Sequence, residues 1–131
     1  MSVGILIIGH DNVGESLRDN AVKTFGAQPL PLAVVSIGRD CEPERAHAQA
    51  SAIVQALDQG DGVLVLTDIC GATPCNIATR LLGEARVKIV TGVNLPMLLR
   101  VLNYADLSLE RLVDKAITGG RDGIVEISDT D

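Results

Sequence analysis

The sequence predicts an α/β domain: a three-layer sandwich with a mostly parallel sheet and helices on both faces. Three observations carry that reading. Four short runs, Val3–Ile8, Leu32–Ile37, Val63–Thr67 and Val87–Val90, are rich in branched apolar residues and are apolar without alternation. Continuous rather than alternating apolar strands belong to a sheet covered on both sides. Segments with apolar residues at helical spacing lie between them, and right-handed crossovers leave few topologies open. The expected strand order is 2-1-3-4, with a further strand at the C-terminal edge.

Each element has its own warrant. Val3–Ile8 ends abruptly in Gly9-His10-Asp11. A helix follows from Glu15, with Leu17, Ala21, Val22 and Phe25 recurring on one face, and Gly26 stops it. After the second strand, Pro43 opens a helix to about Gln59, with Ala46, Ala50, Ile53, Val54 and Leu57 on one side. Gly60-Asp61-Gly62 is a turn, and the third strand ends in Asp68. Thr73-Pro74 reads as an N-cap followed by proline at the first helical position, and this helix runs to about Leu82. Asn94-Leu95-Pro96 starts another, to about Asn103. Ser108 caps a last helix, Leu109 to Ile117, which Gly119-Gly120 ends. Ile124–Ile127 reads as a final strand, and the acidic tail frays. No internal repeat, linker or low-complexity segment divides residues 1–131, so a single domain is expected.

Composition narrows the function. Hydrophobic residues are 47% of the 131 residues and charged residues 21%, too apolar for disorder. The net charge is −6, and aromatics are 2%. A nucleic-acid binder wants a basic patch, and single strands want stacking rings, so nucleic acid is not an expected partner. Scarce aromatics also disfavour a flavodoxin-like flavin or nucleotide binder. An acidic surface suits a basic protein partner. Three cysteines, Cys41, Cys70 and Cys75, odd in number and without a C-x-x-C pair, argue against a disulfide or zinc framework; reduced small apolar residues are expected, with Cys70 and Cys75 as redox partners the minor alternative. No run reaches the ~18 apolar residues of a membrane span. The amino terminus lacks a basic n-region and a small-residue cleavage site, so the cytosol is the expected compartment.

In an open sheet of this order, ligands sit beyond the carboxyl ends of strands one and three. Those ends carry His10 and Asp68. Alone, each has a plain alternative: a loop histidine without a role, and an aspartate closing a turn. Together they form a chemical unit. A carboxylate that accepts from Nδ1–H fixes the tautomer and leaves Nε2 as a nucleophile or base. There is no G-x-S-x-G elbow for a hydrolase, no Walker or dinucleotide glycine motif and no metal-ligand set; His47 reads as a solvated helix residue. Phosphoryl transfer to the imidazole remains, and it needs an anion cradle. Gly71-Ala72-Thr73-Pro74 offers one, with the N–H groups of Thr73, Cys75 and Asn76 at a helix start. Thr73 also serves as a simple helix cap in the plainer reading. Asp68 would repel a phosphoryl group by about 2–3 kcal/mol per charge pair at ~6 Å and an effective dielectric near 20. A helix end returns up to ~2 kcal/mol. Such a balance suits a carrier better than a hydrolase, and it requires neither metal nor cofactor.

Three stretches carry a family resemblance: "ILIIGH", "VLVLTDICGATPCNIATRLL" and "VTGVNLPMLLRVL". Together they resemble the mannose-type IIA domain of the bacterial sugar phosphotransferase system, over essentially the whole chain. The resemblance implies phosphorylation of His10 at Nε2, orientation of His10 by Asp68, and phosphate contact by Thr73. It implies a histidine phosphocarrier protein as donor and a IIB domain of a sugar permease as acceptor. Any association with the membrane permease would be indirect. It also implies a homodimer in which the last strand, near Ile124–Ile127, packs on the neighbouring subunit. The phosphotransferase subunit of dihydroxyacetone kinase has a similar amino end but lacks the G-[GA]-[ST]-P pattern. A free-standing IIA domain also leaves a second role open, a regulatory phospho-sensor coupled to no transporter. Three positions depart from the family pattern. Gly9 stands where threonine or serine is usual, Asp11 where glycine is frequent, and Cys70 where a large apolar or aromatic residue is common. The added carboxylate of Asp11 is expected to weaken phosphorylation or tune partner choice.

Overall fold

The computed structural model describes residues 2–129. The chain order is β1 (Gly4–His10), α1 (Val13–Phe25), β2 (Leu32–Ile37), α2 (Pro43–Leu57), β3 (Val63–Thr67), α3 (Thr73–Thr79), β4 (Val87–Thr91), α4 (Leu95–Asn103) and α5 (Leu109–Asp122). The four strands form one parallel sheet in the order β2-β1-β3-β4. Register aligns Ile5 with Leu32 and Leu64, and sets His10 opposite Ile37 at the far end.

The unbroken apolar runs are explained by the two covered faces. Along β1, Ile5 and Ile7 enter one core with Leu64, Leu66 and the helices α1, α4 and α5. Leu6 and Ile8 enter the other with Val63, Val65 and the helices α2 and α3. A strand of period two can be apolar throughout only when both faces are dry. Each such leucine or isoleucine contributes roughly 1.5–3 kcal/mol by full burial. The polar residues are thereby driven to the strand ends, which is where the candidate site lies. Asp58, just past α2, closes the turn predicted at Gly60–Gly62: its Oδ1 accepts from the N–H groups of Gly60 and Gly62 at 2.8 and 3.1 Å.

The chain departs from the sequence reading at its C-terminal end and in α3. Helix α5 does not stop at Gly119-Gly120 but runs through both to Asp122. The glycines serve close packing: a Cβ on Gly119 would stand 2.5 Å from the Cβ of Arg100, and one on Gly120 would stand 3.0 Å from Cε of Met97. Helix α4 approaches α5 where side chains are missing, and that contact outweighs the poor helix propensity of glycine. The predicted last strand is absent. Residues 124–128 form no ladder, and Ile124, Val125 and Ile127 are 80, 69 and 80% exposed. Strand propensity there meets no partner edge among the described residues. The end of the acidic tail, Thr130 and Asp131, lies outside the described residues. Helix α3 ends at Thr79, short of Leu82, and continues as turns. Among the described residues, no helix is long and apolar enough to cross a membrane.

Candidate functional site

The sheet brings His10 and Asp68 together. Strands β1 and β3 are adjacent, and the two residues leave them side by side. Nδ1 of His10 lies 2.8 Å from Oδ2 of Asp68. The same Oδ2 accepts the backbone N–H of His10 at 2.8 Å, and Oδ1 accepts the N–H of Ile69 at 3.0 Å. Burial pushes the Asp68 carboxyl up, but the His10 N–H, the His10 ring and the Ile69 N–H together outweigh it and hold it below the usual carboxylate range. An ionised carboxylate only accepts, so Nδ1 donates here, and in the neutral ring Nε2 keeps its lone pair. Nε2 makes no hydrogen bond among the described residues. The His10 side chain is 44% exposed, against 14% for Asp68: the carboxylate is sunk, the ring is open. Gly9 is not forced by space, since a Cβ there would meet Oδ2 of Asp68 at an ordinary 3.5 Å.

The residues of the predicted cradle follow Asp68 on the same strand end. Gly71 takes φ 87°, a turn that favours glycine. The structure shifts the expected cap by one residue: Ala72 is the N-cap, Thr73 is the first helical residue, and no side chain caps α3. Thr73 therefore does not serve as the cap, and its side chain is exposed. The N–H of Asn76 is spent on the carbonyl of Ala72 at 3.0 Å, which removes it from the predicted donor set. Thr73 and Cys75 keep first-turn N–H groups; the Cys75 side chain is buried and points into the fold. Among the described residues, no hydrogen bond joins Gly71, Ala72, Thr73 or Cys75 to His10 or Asp68. Two exposed apolar side chains, Val13 and Ile69, flank the pair in sequence.

His47 is not a solvated bystander. Its Nε2 lies 2.5 Å from Oε2 of Glu84, and Oε1 of Glu84 accepts from Ser51 Oγ. The "VNLPM" stretch is explained by packing. Asn94 Oδ1 caps α4 through Met97 N–H at 2.9 Å, and its Nδ2 donates to the carbonyl of Gly120 at 3.3 Å. Sequence reasoning missed the backbone at Asp11, which takes φ 46°. Nothing in residue type alone signals a left-handed aspartate.

The sequence model of one family, described as the PTS system fructose IIA component, matches residues 4–117. The chain belongs to that family. It is 32% identical over 130 residues to the "PTS system mannose-specific EIIAB component" of Escherichia coli (strain K12), covering 95% of this chain and 39% of that protein. The chain thus spans well under half the length of this relative. The "PTS system fructose-specific EIIA component" of Bacillus subtilis (strain 168) is 31% identical over 117 residues, covering 86% of this chain and 77% of the relative. The fold matches the mannose/sorbose specific IIA subunit of Enterococcus faecalis at a TM-score of 0.86 and 22% identity, over 98 and 96% of the two chains. The four-stranded parallel sheet in this IIA component is therefore the fold of solved phosphotransferase IIA structures. The expected C-terminal edge strand is not formed among the described residues.

Proposed function

We propose that this IIA component is a phosphohistidine carrier, with His10 Nε2 as the phosphoryl acceptor. The single observation that supports it most is the bond between His10 Nδ1 and Asp68, which leaves Nε2 unbonded and accessible. In the forward step the Nε2 lone pair attacks the phosphorus of a phosphohistidine on the donor, a histidine phosphocarrier protein. The donor N–P bond breaks as the Nε2–P bond forms, and the donor ring recovers its electron pair. The proton stays on Nδ1, so the phosphorylated ring is cationic and Asp68 stabilises it. A IIB domain then takes the group by the reverse of the same step. Positioning and electrostatics supply the catalysis, as is general for phosphoryl transfer. Thr73 and the N–H of Cys75, with the turn Gly71-Ala72, are assigned to the phosphoryl oxygens.

A ring this exposed suits protein partners, and the net charge of −6 favours basic ones. The assigned setting is cytoplasmic sugar uptake, with the membrane permease reached only through IIB. The apolar segment Ile124–Ile127 supports a homodimer in which it packs on the neighbouring subunit, beside the outer edge of β4. Ile127→Asp is expected to convert a dimer to a monomer by light scattering; a monomeric wild type would remove this part of the proposal.

The test of the carrier function is phosphotransfer from labelled phosphoenolpyruvate through enzyme I and the histidine carrier. Wild type should acquire acid-labile, alkali-stable label and His10→Ala none. An unlabelled wild type beside an active carrier would overturn the proposal.

A further inference from the structure

His10, at the end of β1, has one carboxylate bonded to its ring, that of Asp68, and a second next to it along the chain, that of Asp11. On the β3 side is Asp68. On the β2 side is Asp11, the next residue along the chain. Its backbone N–H donates to the carbonyl of Ile37 at 3.0 Å, so the residue is pinned over the end of β2. Its Oδ1 lies 4.0 Å from where a Cβ on Gly38 would stand, which places the carboxylate above that strand end. Consecutive Cα atoms are about 3.8 Å apart, so the backbone that carries this charge adjoins the one that carries the imidazole.

Asp11 is also the one non-glycine residue with positive φ among the described residues, at 46°. A Cβ is disfavoured there, and glycine would be unstrained. The left-handed position therefore holds a charged side chain at the edge of the site, in one of the few residue types besides glycine that adopts it readily. That side chain is exposed, and its carboxylate makes no ion pair or hydrogen bond among the described residues. Arg39 lines a groove with Gly38, Asp40, Glu42 and Arg45 and makes no ion pair with Asp11 among the described residues. The carboxylate has no structural task that an uncharged residue would not fill.

We propose that Asp11 sets the phosphoryl-transfer potential of the site: its charge disfavours phosphorylated His10 relative to the free ring, so that the group is passed on rather than stored. This inference rests on the phosphohistidine reading above. Asp11 takes part in no bond and moves no proton; the donor N–P bond still breaks as the Nε2–P bond forms. Phosphorylation adds about one net negative charge to the ring. For charges about 10 Å apart and an effective dielectric of about 25–50, that corresponds to an equilibrium shift of about three- to tenfold.

The experiment equilibrates the phosphorylated histidine carrier with wild type, Asp11→Asn and Asp11→Gly, and measures the phosphorylated fraction of each by phosphorus NMR. Asparagine and glycine both tolerate the left-handed backbone, and thermal melts check that both variants fold. Both should shift the equilibrium toward phosphorylated His10 by about three- to tenfold in ~50 mM salt, and by clearly less in ~500 mM salt, where the charge is screened. An Asp11→Asn protein that matches wild type in low salt would overturn the inference. So would a shift seen with glycine alone, because backbone strain and not charge would then be responsible. A wild type that takes no phosphoryl group from an active carrier is a different failure, that of the phosphohistidine reading itself.

Discussion

The chain holds two histidine–carboxylate pairs, and they are built in opposite ways. At His10 the carboxylate takes Nδ1, and Nε2 faces outward. At His47 the carboxylate of Glu84 takes Nε2, the nitrogen farther from the backbone. Asp68 is itself fixed by two backbone N–H groups, those of His10 and Ile69, at adjacent strand ends. Glu84 lies in the turns after α3 and is held by the side chains of Ser51 and His47 on α2. Its carboxyl is lowered by the Ser51 hydroxyl first and by His47 next, with burial opposing. The Asp68 carboxyl is pushed up by burial first and brought down by its N–H and ring partners. Under the proposed carrier reading, the difference is what turns such a pair into a site. The carboxylate must be positioned by backbone, and it must leave the outer nitrogen unspent. The His47 pair instead clips α2 to the end of α3.

The largest contrast is therefore expected between the two histidines. His10→Ala should abolish phosphotransfer, whereas His47→Ala should leave its rate within about twofold and slightly lower the melting temperature. Comparable loss in both variants would mean that the pairs are not distinguished by the free nitrogen. The carboxylates come next. Asp68→Asn keeps the shape but no longer secures the ring proton on Nδ1, and should slow transfer by roughly a hundredfold or more. Glu84→Gln should leave the rate unchanged. Single-turnover quench measurements with phosphorylated carrier separate the two.

The smallest effect is on stability against pH. The folded-state pKa of Asp68 lies below its ordinary 3.8. The stability it contributes is present above the unfolded value and is lost as pH falls through the lower folded value. Wild type should therefore lose more melting temperature than Asp68→Asn between about pH 5 and pH 2. Parallel curves would show that the hydrogen bonds to Asp68 are not worth more to its ionised form.

Much of this was legible in the sequence because burial writes itself into residue type. The unbroken run Ile5-Leu6-Ile7-Ile8 required a sheet with two dry faces, and such a sheet placed His10 beside Asp68. The rest depended on contacts that residue type does not encode. Gly119 and Gly120 look like a helix stop, yet they are the surface on which α4 rests. Ile124–Ile127 has strand composition, but a strand exists only with a partner edge, and the described residues supply none. The cap of α3 moved from Thr73 to Ala72 because proline is tolerated at either of the first two helical positions. His47 looked solvated because Glu84, 37 residues away in sequence, could not be placed against it. Asp11 gave no sign of its left-handed backbone, since φ is set by how β1 hands the chain to α1.

The central claim is that Asp68 holds the Nδ1 proton so that His10 reacts through Nε2. Nitrogen–phosphorus correlation NMR on the nitrogen-labelled, phosphorylated protein tests it most directly. Coupling of phosphorus to Nε2 of His10, with Nδ1 protonated, is the result this account predicts. Coupling to Nδ1, or to any other residue, would contradict it.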